Sequence, residues 1–483
     1  MAISSGEPTR RAFLKMGAST LGGLAITKPT QPPSKANGPS VGTPPPRPNF
    51  VFFLGEGMRA DELSSSGNAI LSTPHLDRIV REGASFGNAF VTNALCLPSR
   101  ATILTGLYSH SCDCPDNRNR QIPASIQTVP DMLREAGYEV AFFGKSHIKD
   151  LSRRYWDAYF GIESWATNYY HPVIIESEKG NAKPPATFHG YVDDVCTDRA
   201  LAWLEGRQEK PFCLFLWFQA PHGPFYRPRH LLDLYNGVPI PKPRTFDDDL
   251  KGYPGKPEAF KNCDNKIGTT LHGSDEPRCL EEIVKNHYAG IVANDDCARR
   301  VFEWLERRGK MDDTAILLSS DHGFFLGEWH CYNKMFMHEP SIRVPLAVRY
   351  PPLIRAGTTS DLTALNLDIA PTMLEIAGLK VPDGMQGKSL LPVMRGEWPP
   401  HWRKDWLYEY FDRAAPKNRG IRTEQYKLIH YWEAPEEFEL YDLKADPEEL
   451  HNLAAEPAYA TIKEQLRARM KELRAETGDT TEG

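Results

Sequence analysis

The 483-residue sequence has no apolar run approaching the ~18 residues that a membrane-spanning helix needs, which argues against an integral membrane protein. It has little charge excess of either sign. A net charge of −6 gives no reason to expect nucleic acid or an anionic membrane as a general partner. An anionic substrate would have to be drawn in by a local cluster of cations. Cysteine is sparse: nine residues are scattered along the chain, too few and too dispersed for a disulfide-stapled scaffold. The odd number leaves at least one without an intramolecular partner, and the Cys112-x-Cys114 pair alone does not indicate zinc. No internal repeat is visible, so a solenoid or propeller is not expected. What remains, 41% hydrophobic and 25% charged, is the composition of an ordinary globular enzyme long enough for two domains.

The first residues read differently from the rest. Thr9-Arg10-Arg11-Ala12-Phe13-Leu14-Lys15 is a twin-arginine export signature, followed by a short Gly-containing apolar run from Met16 to Thr27. Small residues at Ser34 and Ala36 suit cleavage after Ala36. Residues 1–36 are therefore expected to be a signal peptide and 37–47 a Pro- and Gly-rich linker. The expected destination is the bacterial periplasm or the exterior, by way of the Tat export machinery. That route carries folded chains, so modification and metal loading can both precede export.

Near-continuous apolar runs at Asn49–Leu54, Glu139–Phe143, Phe212–Phe218 and Thr314–Leu318 predict strands buried on both faces. Helices are expected from Thr73-Pro74 to Gly83, over Val129–Ala136, and within the amphipathic segment Val284–Arg308. The alternation predicts an α/β domain over 48–397, with a mixed, mostly parallel sheet covered by helices on both faces. From 398 to 483 the texture changes. Trp406–Phe411, Arg419–Trp432 and Phe438–Leu443 predict short antiparallel strands and Tyr459–Glu476 a helix, together a small α+β domain. Pro241–Cys279, rich in Lys, Pro, Gly and Asp, reads as a long surface insertion.

The chemically useful side chains fall just after the buried strands: Glu56, then Lys145 and His147, then His222, then Asp321 and His322. In an open α/β sheet, ligands bind beyond the carboxyl ends of the strands. A His or Lys after one strand is ordinarily a loop or capping residue; the shared placement makes these a candidate site. Cys96-Leu97-Pro98-Ser99-Arg100 leads into a helix expected over Ser99–Leu107. That helix start suits a sulfate or phosphate, with Arg100 as a fork for its oxygens.

Cys96-Leu97-Pro98-Ser99-Arg100-Ala101-Thr102-Ile103-Leu104-Thr105-Gly106 closely resembles the sulfatase signature. Further motifs are similar in the same order: Pro48-Asn49-Phe50-Val51, Gly144-Lys145-Ser146-His147, Ala220-Pro221-His222-Gly223-Pro224 and Ser320-Asp321-His322-Gly323. Asn333-Lys334, Ser341–Leu346, Asp368–Thr372, Met385–Leu390 and Leu440-Tyr441-Asp442-Leu443 complete the likeness, which runs from about Pro48 to the end. The resemblance implies an alkaline-phosphatase-like fold and a Cys96 oxidised to formylglycine by a separate maturation enzyme. It implies catalytic roles for Cys96, Arg100, Lys145, His147, His222 and Lys334. It also implies a metal site of Glu56, Cys96, Asp321 and His322, with Ca2+ first and Mg2+ or Mn2+ as alternatives.

Two departures stand out. The family's first strand ends in two Asp residues; here Glu56 and Gly57 take those places, so one carboxylate is missing and the other is a methylene longer. The Trp of the family's GKWH element is Ser146, expected to reshape the pocket wall. Chain-wide likeness is greatest to carbohydrate sulfatases of the glucosamine-6-sulfatase type, which implies a sulfated glycan substrate. The stretch Trp165, Asn168, Tyr169, Tyr170 and His171 offers rings for stacking on a sugar. The competing readings are a phosphonate or phosphodiester hydrolase of the same superfamily, and a catalytically inactive protein that binds sulfated glycans.

Overall fold

Strand Asn49–Gly55 is buried at every position and sits at the centre of the molecule, because both of its faces are apolar. Phe50, Phe52 and Leu54 point into one core, and Val51 and Phe53 into the other. The computed structural model describes residues 47–118, 120–207, 209–246, 256–258, 279–433 and 435–482. The expected signal peptide, all but the last residue of the linker, and most of the insertion (247–255 and 259–278) lie outside the described residues.

Five parallel strands make the middle of the main sheet: Thr314–Ser320, Asn49–Gly55, Phe212–Trp217, Glu139–Lys145 and Ala158–Ile162, side by side in that order. Antiparallel strands extend both edges, Leu346–Arg349 beside Thr314–Ser320 and Val173–Glu178 beside Ala158–Ile162. Helices Pro74–Glu82, Val192–Gly206 and Leu280–Arg307 contribute to one core, and Cys96–Thr105, Val129–Glu135 and Ile369–Ile376 to the other. This is the mixed, mostly parallel sheet covered by helices on both faces that the sequence predicts. Register matters most for function. Gly55 pairs with Ser320, Leu54 with Trp217, and Trp217 with Gly144, so four strands end at one level.

The C-terminal sheet holds four antiparallel strands, Asp405–Tyr410, Asn418–Thr423, Tyr426–Tyr431 and Glu437–Asp442. Arg419–Trp432, expected as one strand, is a hairpin. Its turn through Glu424 and Gln425 lacks the Gly or Asn that usually betrays one. Trp406, Tyr408, Ile421 and Leu440 belong to the same core as Phe52 and Leu97, so this sheet shares the interior of the main domain.

Candidate active site

The aligned strand ends bring Glu56, Lys145, His147, His222, Asp321 and His322 to the helix that carries position 96. That helix runs Cys96–Thr105, three residues earlier than expected. Pro98 lies in its first turn, where a missing N–H costs nothing, so it does not delay the start. Cys96 thus lies in the first turn, buried, with Sγ 2.8 Å from Glu56 Oε1, 3.4 Å from His322 Nε2 and 3.3 Å from Lys334 Nζ.

Two fully buried carboxylates share one guanidinium. Arg100 Nη2 donates to Glu56 Oε2 at 2.7 Å and Nε to Asp321 Oδ2 at 2.8 Å, while Nη1 donates to the Lys145 carbonyl. Its fork is spent on holding the carboxylates, and Trp217 lies 5.4 Å from its centre. Lys145 Nζ lies 2.9 Å from the same Glu56 oxygen. Glu56 Oε1 and Asp321 Oδ1 are left facing His322 Nε2 at 3.4 and 3.5 Å. His322 Nδ1 donates to the Gly323 carbonyl at 2.8 Å, which turns the Nε2 lone pair toward the cluster.

Burial alone would raise the Glu56 carboxyl, but Lys145, Arg100 and Lys334 hold it well below the usual carboxylate range. Burial and the Glu56 charge push Asp321 up to about 6. Burial pulls His322 down, but Asp321 and the Cys96 side chain together raise it to about 9. A cation bound here would displace that proton. One atom from each of Glu56, Cys96, Asp321 and His322 lies within 4.8 Å of the others, and all four residues are buried. Two carboxylates, an imidazole and the residue-96 side chain are a donor set that fits a divalent cation.

The two further histidines flank position 96. His147 adopts φ +58°, rare for a residue with a side chain, held there by two amides: Ser146 and His147 both donate to the Ile162 carbonyl, at 2.9 and 3.0 Å. Burial lowers its imidazole pKa, and Nδ1 is buried with no hydrogen-bond partner among the described residues. His222 Nδ1 donates to the Gly223 carbonyl at 2.6 Å, leaving Nε2 toward the cluster, 3.9 Å from Glu56 Oε1. Burial, Lys145 and Lys334 hold it down at about 4. Its loop is fixed by a residue that the sequence did not single out. Buried Asp193 accepts the amides of Gln219 and Ala220 at 2.8 and 2.9 Å, and Asn294 donates to the Ala220 carbonyl at 2.9 Å.

Above these groups opens a pocket of about 400 Å³, bounded by His147, His222 and Lys334 below and by Asn117, Arg118, Trp165 and Asp412 above. Within the aromatic stretch, Trp165 lines the pocket, half exposed, with its ring 5.6 Å from that of His222. Tyr169 is buried and donates to the His222 carbonyl at 2.5 Å. Tyr170 donates to the Arg227 carbonyl, and Asn168 accepts the Tyr170 and His171 amides at 2.9 Å. Ser146, expected at the pocket wall, is instead buried, with Oγ 3.0 Å from the Tyr159 hydroxyl. Asn117, Arg118 and Asp412 carry no motif, and the chain brings them to the rim only by folding.

The chain is similar to known proteins along most of its length. The profile of the family described as Sulfatase matches residues 48–379, and one described as N-sulphoglucosamine sulphohydrolase, C-terminal, matches 327–476. The chain is 33% identical to an N-acetylglucosamine-6-O-sulfatase of Bacteroides thetaiotaomicron, covering 90% of this chain and 87% of that one. It is 30% identical to a multifunctional alkaline phosphatase superfamily protein of Trinickia caryophylli, over 86% of this chain and 93% of the other. A solved structure in complex with its substrate D-glucosamine-2-N,6-O-disulfate superposes with a TM-score of 0.83 at 31% identity, covering 90% of this chain and 99% of that one. The signature helix, the strand-end constellation and these matches agree: the chain belongs to the sulfatase family and is a sulfuric ester hydrolase.

Proposed function

We propose that this sulfatase releases sulfate from a sulfated carbohydrate, with Cys96 converted to formylglycine and a divalent cation held by Glu56, Asp321, His322 and residue 96. The observation that carries the reading is the convergence of residue 96 with Lys334, His147 and His222 at one pocket, with the buried Lys145 on the Glu56 carboxylate beside them. Cys96 Sγ stands where the oxygens of hydrated formylglycine would be. The hydrated aldehyde supplies two hydroxyls, one to attack sulfur and one to expel sulfate afterwards and restore the aldehyde. The cation, when bound, neutralises sulfate charge and acidifies the attacking hydroxyl.

The remaining steps belong to the chain's own side chains. Lys145 and Lys334 take the sulfate oxygens as negative charge develops on them. Arg100, committed to Glu56 and Asp321, fixes the donors from behind. His222 presents Nε2 to the departing alcohol and gives it a proton. Its low pKa means that the negative charge of the bound ester must first draw that proton in. His147, kept neutral by burial, takes the proton of the second hydroxyl.

A sugar is the favoured leaving group because Trp165 stands beside His222 and because the proteins that the chain resembles include an N-acetylglucosamine-6-O-sulfatase and a structure in complex with D-glucosamine-2-N,6-O-disulfate. The N-terminal twin-arginine sequence supports Tat export to the periplasm or beyond, after a maturation enzyme has acted on Cys96. No helix among the described residues is long and apolar enough to cross a membrane. Residues 48–397 are assigned as the catalytic domain and 398–483 as a subdomain, with 1–36 as the signal.

The test is peptide mass spectrometry across Cys96 on protein from its native host, with sulfate release from glucosamine 6-sulfates. An aldehyde at position 96 and sulfate release lost in Cys96→Ala, with the fold intact, are expected. An unmodified thiol in mature protein that binds sulfated glycans without turnover would favour the inactive binding relative. Faster turnover of phosphonate monoesters or phosphodiesters than of any sulfate would move the assignment to that chemistry.

A further inference from the structure

The cation donors of this chain are few and include one imidazole, and they carry an inference that rests on the proposed metal-assisted hydrolysis. Each carboxylate offers the site one oxygen. Glu56 Oε2 is held by Arg100 at 2.7 Å and lies 2.9 Å from Lys145, and Asp321 Oδ2 is held by Arg100 at 2.8 Å. Neither can chelate through both oxygens while Arg100 stays in place. Asp321 Oδ1 also accepts the Gly57 amide at 3.1 Å, which fixes the direction of the one oxygen left to it. With His322 Nε2 and the side chain of residue 96, the protein supplies four donors, one of them nitrogen.

Gly57 lies against the imidazole. Its φ of +76° is a conformation that glycine adopts freely, and a Cβ built there would stand 3.2 Å from Phe324 Cδ2 and 3.4 Å from His322 Cε1. A side chain at 57 would press on Phe324 and pass beside the His322 ring. With glycine at 57, this position adds no carboxylate to the donors beside the imidazole.

Calcium takes six to eight oxygen ligands and gains little from imidazole. First-row transition dications accept imidazole readily and are satisfied by fewer donors, with carboxylate and water completing the shell. We infer that this site selects a first-row transition dication, with Mn2+ as its probe, over Ca2+.

The experiment uses full-length protein stripped of metal, titrated with Mn2+ followed by electron paramagnetic resonance and with Ca2+ in competition. Mn2+ is expected to bind tighter than Ca2+ by about tenfold or more, with 14N coupling from one imidazole in the Mn2+ signal. His322→Asn should remove that coupling and reduce the preference. If that variant does not fold, the nitrogen coupling in the unaltered protein decides alone. Calcium binding as tight as manganese, or an Mn2+ signal without nitrogen coupling, overturns the inference. The hydrolase reading is judged separately, by sulfate release: turnover by an enzyme that prefers calcium would sink the inference and leave that reading standing.

Discussion

Arg100 Nη2 lies 2.7 Å from Glu56 Oε2, and neither side chain has appreciable contact with solvent. The same guanidinium reaches Asp321, so one residue sets the separation of two carboxylates that would otherwise repel each other in a dry interior. A lysine carries the charge but not the planar fork. Arg100→Lys is expected to weaken metal binding by about 10- to 100-fold and to lower kcat by at least as much. Titration calorimetry and sulfate-release kinetics check it. Unchanged metal affinity would show that the fork does not orient the donors.

Trp165 should matter for sugars and not for small esters. Its loop is clamped to the strand that delivers His222: the Thr167 amide donates to Gln219 Oε1 at 2.8 Å, and Gln219 Nε2 donates to the Thr167 carbonyl at 2.9 Å. The indole is thus held next to the proposed acid, where the sugar of the leaving alcohol would lie. Trp165→Ala is expected to raise KM for a sugar 6-sulfate by about five- to tenfold, equivalent to ~1 kcal/mol of lost ring contact. KM for a short alkyl sulfate should hardly move. An equal rise for both esters would remove Trp165 from sugar recognition.

His110 makes stability depend on alkaline pH. Its Nδ1 lies 2.6 Å from Glu409 Oε2, and its Nε2 lies 3.1 Å from the Thr477 carbonyl, tying the loop after the Cys96 helix to the C-terminal sheet and last helix. Burial pulls its pKa down, but Glu409 overcomes this and raises it to about 9. A raised histidine pKa stabilises the fold fully below the unfolded value of ~6.5, and the contribution fades as pH climbs through about 9. The expected loss between pH 6.5 and 9.5 is on the order of 2 kcal/mol, seen as a falling Tm. His110→Gln should flatten that part of the profile; a profile unchanged by the substitution would rule the pair out as its source.

Much of the site was legible in the sequence because buried parallel strands announce themselves as apolar runs, and the residues just past their ends must share one edge of the sheet. Glu56, His147, His222 and Asp321 were found that way, with the Cys96 motif supplying the centre. The misreadings came where local signals are weak. The helix expected from Ser99 starts at Cys96, since Pro98 is harmless in a first turn. The Glu424-Gln425 turn has no glycine, and Ala158–Ile162 and Val173–Glu178 are short strands whose pairing depends on neighbours. Asp193 could not be picked out because its role lies in two backbone amides distant in sequence. Arg118 and Asp412 reach the rim through tertiary folding alone.

The C-terminal sheet also shapes the pocket. The Tyr408 hydroxyl accepts the Ala94 amide at 3.4 Å and donates to the Met335 carbonyl at 3.1 Å, touching the chain two residues before Cys96 and one residue after Lys334. Asn418 Nδ2 also reaches the Met335 carbonyl, at 3.4 Å, and Lys427 Nζ donates to that of Met337 at 2.7 Å. Asn333 and Met335 have φ of +95° and +93°, so the segment that presents Lys334 is held in a conformation that side-chain-bearing residues rarely adopt. Tyr408→Phe removes the hydroxyl that joins the two sides and leaves the buried ring in place. The expected cost is about 1–2 kcal/mol of stability. At temperatures where the variant is fully folded, kcat should fall about tenfold with KM little changed, as for a lysine displaced from a developing charge. A lower Tm with undiminished kcat would confine the tyrosine to a structural role and leave Lys334 positioned by the rest of its segment.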